Sequence, residues 1–236
     1  MRRTSQALIP MLAAAVVLAF GGYPAWAGTI SGTVTVLGKD GRPLPRADNA
    51  VVYLQGLESP APNTPVVLDQ RNKEFVPRLL PVIKGQELRF PNSDQLQHNV
   101  FSPHEQEPFD LGLYPPGESR SVRLNVLGRH KVYCNLHKSM VADILVLPNR
   151  YFALTDAGGH YRIDAPPAGE YVLRVWHVFG GSGQRPVRVG TADLTADFSV
   201  QSPQTGEELL QHPDKAGQDY SQHPPPPARS SSSESY

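Results

Sequence analysis

A cysteine, a histidine and a methionine fall within seven residues, Cys134-Asn-Leu-His137-Lys-Ser-Met140. Cys134 is the only cysteine of the 236-residue chain, and the other two methionines are Met1 and Met11. A soft thiolate, an imidazole and a thioether suit copper in a trigonal site of two histidines and one cysteine, with the thioether as a weak axial ligand. Such a site needs a second imidazole, and His98, in Asp94-Gln-Leu-Gln-His98-Asn-Val, is placed to supply it. The chemistry expected of this set is one-electron shuttling, because thiolate donation and a distorted geometry suit both Cu(I) and Cu(II). Asn99 is expected beside the ligands, its side chain tying the His98 strand to the Cys134 loop.

The elements that must position these residues are strands. Helical periodicity is nearly absent, and short alternating runs dominate: Ile30–Val36, Ala50–Leu54, Gln86–Phe90, Ser121–Val126, Ala142–Val146 and Tyr171–Trp176. Period-two segments punctuated by Gly, Pro and Asp turns indicate antiparallel sandwiches or barrels, so the fold class is all-β. Asp40-Gly41 and Ala157-Gly-Gly159 are turn signals. On the strand before the cysteine, Gly128, His130, Val132 and Cys134 share one side, so Cys134 points inward at a strand end. The turn that follows brings His137 and Met140 around the same point. The segment from Phe90 through Asp94 reads as a strand leaving into a polar turn, after which His98-Asn-Val-Phe101 resumes apolar character.

The N-terminus carries Arg2 and Arg3, an apolar run from Leu8 to Phe20, and Ala25-Trp-Ala27. This is the pattern of a secretory signal over residues 1–27, with cleavage expected after Ala27 and a periplasmic or secreted product. The run is short for a membrane span and no second candidate follows, so no span is expected after cleavage. Lys plus Arg equal Asp plus Glu at 22 each. Loss of residues 1–27 removes two arginines and no acid, leaving a net charge of about −2 that argues against nucleic acid as a partner. A lone cysteine in an exported protein has no internal disulfide partner and is exposed to oxidation. A bound metal or deep burial protects such a thiol.

Between Phe75 and Leu147 the residues resemble the cupredoxins, small blue-copper proteins of the plastocyanin and amicyanin type. The resemblance is carried by Phe75-Val-Pro77, Val82-x-x-Gly85, Phe90-x-Asn92-x-Asp94, His98-Asn-Val100, Gly128-x-His130-x-Val132-x-Cys134 and Cys134-x-x-His137-x-x-Met140. The short gap between His137 and Met140 is most similar to the amicyanin pattern. The resemblance implies one type-1 copper, with His98, Cys134 and His137 as equatorial ligands and Met140 as the axial one. It also implies a cupredoxin Greek-key sandwich, with His137 as the electron port and redox proteins as partners (a cytochrome c, or a dehydrogenase or oxidase). The family usually has an aromatic residue four before the cysteine; this chain has His130, read as a packing substitution.

Residues 149–200, with Thr155-Asp156-Ala-Gly-Gly-His160 and Pro167-Ala-Gly169-Glu-Tyr171, resemble a carboxypeptidase regulatory-like β-sandwich, an Ig-like fold. Only part of that module is present there. Residues 28–148 are therefore either one cupredoxin domain, or residues 28–56 complete the second sandwich with the cupredoxin inserted into it. Both orders stay open. Proteins combining these two modules, some labelled methylamine-utilisation proteins, are the nearest whole-chain resemblance. The segment from Leu147 to Tyr151 has no linker composition, so two lobes meeting there are joined tightly. Residues 201–236, with His223-Pro-Pro-Pro-Pro227 and a serine run, bury little and read as a disordered tail holding His212 and His223. His160 and His177 read as surface or core histidines.

Enzyme motifs are weak. His104-Glu-Gln-Glu107 matches a zinc-carboxypeptidase pairing, but no room remains for the catalytic domain. Gly180-Gly-Ser182-Gly-Gln184 has glutamine where a nucleophile elbow requires glycine. No His-x-His pair or phosphate loop occurs, and one cysteine does not make a dinuclear copper centre. The expectation is an electron carrier rather than an enzyme. The rival is a copper-binding, structural or adhesion β-sandwich without redox turnover.

Overall fold

A computed structural model describes residues 28–202 and 214–217. The expected signal, His212, His223 and most of the 201–236 segment lie outside the described residues. In chain order the strands are β1 (Ile30–Leu37), β2 (Ala50–Gln55), β3 (Val66–Val67), β4 (Asp69–Arg71), β5 (Glu74–Val76) and β6 (Leu79–Ile83). Next come β7 (Glu87–Pro91), β8 (His98–Ser102), β9 (Phe109–Tyr114), β10 (Ser119–Arg123), β11 (Gly128–Tyr133) and β12 (Val141–Leu147). The last are β13 (Phe152–Leu154), β14 (His160–Ile163), β15 (Gly169–His177), β16 (Ser182–Val189), β17 (Leu194–Thr195) and β18 (Phe198–Gln201). Among the described residues there is no helix, so none is long and apolar enough to cross a membrane. The all-β class read from the alternating runs holds.

Strands β3 to β12 form one lobe. A five-stranded sheet, β6-β12-β11-β8-β9, shares a core with the sheet β10-β7-β3, and β4 and β5 form a small ribbon beside them. That core holds Phe90, Val100, Val132, Ile144 and, at one end, Cys134 and Met140. The second lobe packs the sheet β14-β1-β17, with β18 also on β1, against β13-β2-β15-β16. Residues 28–56 contribute to it directly: Ile30 stands opposite Ile163 and Val52 opposite Val175.

Strand β12 explains how the lobes join. Its seven residues are all buried, because it has no solvent face. Ala142, Ile144 and Val146 point into the first core, while Leu145 and Leu147 point the other way, onto Val51 and Val178. A strand covered on both faces reads as a continuous apolar run. Tyr53, Phe152 and Trp176 complete this junction. Buried Asn149 ties the connecting segment down, its amide donating to Leu54 O at 2.8 Å and Leu57 O at 3.0 Å. At the Gly158-Gly159 turn, Gly159 has φ +84°, and a Cβ there would meet Val34 O at 2.2 Å, so only glycine fits.

Candidate metal centre

Strand β11 delivers Cys134, and β8 opens with His98. The two strands are neighbours, with Tyr133 opposite Phe101, so both residues reach the same end of the sheet. A register shift between Asn99 and Phe101 breaks the β8–β9 ladder beside the site, the kind of bulge that re-aims side chains. The loop after Cys134 closes on itself: Cys134 N donates to Met140 O at 3.2 Å, and Met140 N to His137 O at 3.0 Å. This turn folds His137 back toward the sulfur.

Cys134 Sγ lies 3.8 Å from His98 Nδ1 and 3.8 Å from His137 Nδ1. The two imidazole rings meet edge to face, with centroids 4.9 Å apart. The three donor atoms lie within 4.8 Å of one another, so a single ion can touch all of them. Cys134 and His98 are fully buried, whereas His137 is half-buried. Met140 is also fully buried, in the same core cluster as Cys134. A thiol, two imidazoles and a nearby thioether make a donor set that fits one copper ion.

The surroundings fix these groups. His98 Nε2 donates to Asp94 Oδ2 at 2.9 Å, which places the ring proton on Nε2 and leaves the Nδ1 lone pair facing the sulfur. Asp94 also accepts from Lys73 N at 2.8 Å and Gln95 N at 2.9 Å. Burial pushes its carboxyl up, but the His98 ring and those backbone N–H groups outweigh this and hold it below the usual range. Lys73 reaches Asp94 because Asn72 and Lys73 both have positive φ, 55° and 60°, in the tight turn between β4 and β5. Asn99 spans from strand to loop: its Oδ1 accepts Asn135 N at 3.3 Å, and its Nδ2 donates to Asp110 Oδ1 at 2.6 Å.

Burial raises the Cys134 thiol above its ordinary pKa, opposed by backbone N–H groups of Asn99, Leu136 and His137 aimed at the sulfur. Leu136 N lies 3.4 Å from Sγ. Burial, then the positive fields of His98 and Lys73, lower the pKa of His137, so its ring stays neutral and able to ligate to lower pH than a free imidazole.

The other described histidines stand apart from this donor group, the one such group among the described residues. His130 is buried, donates from Nε2 to Val126 O at 2.9 Å, and stacks on His104 with ring centroids 3.9 Å apart. His104 Nδ1 accepts the backbone N–H groups of Gln106 and Glu107. The Glu107 carboxylate accepts from Asn125 N and Val126 N. Both members of the His104–Glu107 pair are thus engaged in closing loops. His160 is exposed beside Asp156, and buried His177 bonds Asp48 O at 3.1 Å. Ser182 lies in β16, not on an elbow. Asp94 is the His98 partner that sequence reasoning missed; the i,i+4 spacing is its one visible signal.

No protein-family model matches the chain. An alignment 84 residues long, covering 31% of this chain and 58% of the relative, is 31% identical to the chloroplastic plastocyanin of Chlamydomonas reinhardtii. Among solved structures, a reduced amicyanin variant matches 42% of this chain and 100% of its own, with TM-score 0.34 and 18% identity. A purple cupredoxin of Nitrosopumilus maritimus matches 34% of this chain and 98% of its own, with TM-score 0.32 and 18% identity. The copper-containing nitrite reductase of Thermus scotoductus SA-01 matches 36% of this chain and 22% of its own, with TM-score 0.34 and 22% identity.

Proposed function

We propose that the chain is an exported carrier of single electrons that uses one type-1 copper and passes electrons between redox proteins. The observation that carries this reading is the meeting of His98 Nδ1, Cys134 Sγ and His137 Nδ1 within 4.8 Å at one end of a buried core. The partial identity to plastocyanin supports it. Bound copper would supply one-electron exchange with little reorganisation. His98, Cys134 and His137 would hold it, with Met140 as the weak axial donor.

Each residue around the site serves that end. Asp94 fixes the His98 tautomer. The N–H groups at Cys134 stabilise sulfur once its proton has left. Cys134, His98 and Met140 exclude water, while half-buried His137 connects the site to the surface. Leu136, 38% exposed, and Lys138 flank that exit and would meet a partner, a cytochrome c or a dehydrogenase or oxidase. The 149–200 region resembles a carboxypeptidase regulatory-like sandwich by its motifs, and we assign it a structural role beside the carrier lobe.

Voltammetry of the copper-loaded protein tests the reading. A reversible one-electron wave, absent from Cys134→Ser, is expected. Copper retention without any wave would instead favour a non-redox copper-binding module.

A further inference from the structure

The two lobes also meet on the face of β15 that carries Arg174 and Trp176. There a cleft of about 490 Å³ is lined by Arg129 and Leu145 from the first lobe and by Tyr53, Arg174, Trp176 and Gln184 from the second. The volume is that of a small-molecule site, and junctions between lobes are where such sites concentrate.

The strand register brings the two arginines together. Arg174 stands opposite Tyr53 and Gln184 in the sheet. Trp176 is two residues further on the same face, about 7 Å along the strand. The Arg129 guanidinium lies over the Trp176 ring, its Cζ 5.2 Å from the centroid. Both guanidinium groups and the indole therefore line one cleft.

Their donors are incompletely used. Arg129 Nε is held by Asp143 Oδ1 at 2.6 Å, but Arg129 Nη2 is buried with no protein acceptor. Arg174 Nε is likewise buried without one. A buried donor left without an acceptor is costly, and more so when charged. Arg78, Arg129 and Lys131 lie around Asp143, whose own Oδ2 is buried without a donor. Burial chiefly, and then Arg129 and Arg78, hold the Lys131 ammonium below its usual pKa. The cleft lining carries these two guanidinium groups and no carboxylate, so an anion between them would meet positive charge alone. A carboxylate matches the planar guanidinium fork with two oxygens.

We propose that this cleft binds a small organic anion, its carboxylate held between Arg129 and Arg174 and its flat apolar body lying against Trp176 and Tyr53. The site is independent of the copper reading, because none of its residues belongs to the Cys134 donor group.

The test uses the full chain without added metal. Sodium benzoate is titrated at constant ionic strength, set with sodium chloride, and tryptophan fluorescence is followed. The chain has two tryptophans, Trp26 and Trp176, and a Trp176→Phe variant assigns the signal. A saturable change is expected in the parent chain. Arg174→Met should weaken it about tenfold or more, and Arg174→Lys, which keeps the charge and loses the fork, should fall between. No saturable change in the parent chain, or equal affinity in folded Arg174→Lys, would overturn the site. Inorganic phosphate binding as tightly as benzoate would overturn the assignment to an organic carboxylate.

Discussion

Asp94 accepts the Nε2–H of His98 and two backbone N–H groups at once, so it sets both the tautomer and the position of that ring. Hydrogen-bond partners of metal-binding histidines typically contribute 10–100-fold in metal affinity. Asp94→Ala should therefore weaken Cu(II) binding by about that factor while leaving the site able to form; competition against a chelator measures it. At this scale the candidate ligands were legible because their spacing is local: Cys134, His137 and Met140 fall in one loop. What was not legible depends on folded loops. The i,i+4 pair of Asp94 and His98 could have been solvent-facing on another backbone. The stack of His104 on His130 joins residues 26 apart in sequence, which no local pattern encodes.

The 134–140 loop is braced from outside by a closed hydrogen-bonded circuit. Lys215 Nζ meets Asp110 Oδ2 at 2.9 Å, Asp110 Oδ1 accepts Asn99 Nδ2, Asn99 Oδ1 accepts Asn135 N, and Asn135 Oδ1 accepts Lys215 N at 3.1 Å. The Lys215–Asp110 pair is nearly half exposed on both sides, so its direct contribution is small. Lys215→Met should barely move global stability yet speed hydrogen exchange at the Asn135 amide, because one arm of the circuit is lost; unchanged exchange would show that the circuit is inert. Strands with clean alternation, such as Ile30–Val36 and Tyr171–Trp176, were readable from sequence. Strand β16 was not, because it is a polar edge strand that tolerates Pro186. The expected strand Ser121–Val126 stops at Arg123, since Glu107 takes the N–H groups of Asn125 and Val126 from the ladder.

Across the whole molecule, stability and site formation meet in β11, which carries His130 in the core and ends at Cys134. Burial chiefly, with the His104 ring beside it, lowers the pKa of His130 from the ordinary 6.5. As pH falls through about 6.5, the unfolded chain binds a proton at this residue that the folded chain refuses. Stability contributed by neutral His130 is therefore present above that pH and declines below it, until the folded pKa is reached. The slope is at most about 1.4 kcal/mol per pH unit. His130→Phe should flatten this part of the acid side of the stability curve, read by urea unfolding at a series of pH values. Near Leu147 the chain passes through a packed cluster of Val51, Leu79, Leu145 and Val178. Which strands pair across it was not readable, because β1 and β2 meet partners more than 100 residues away. The central claim is that one thiolate and two imidazoles hold a single copper ion, and stepwise addition of Cu(II) followed by visible absorption tests it most directly. An intense thiolate-to-copper band that saturates at one equivalent and vanishes in Cys134→Ser is the predicted result. A pale tetragonal spectrum, or a band that survives loss of the sulfur, would contradict it.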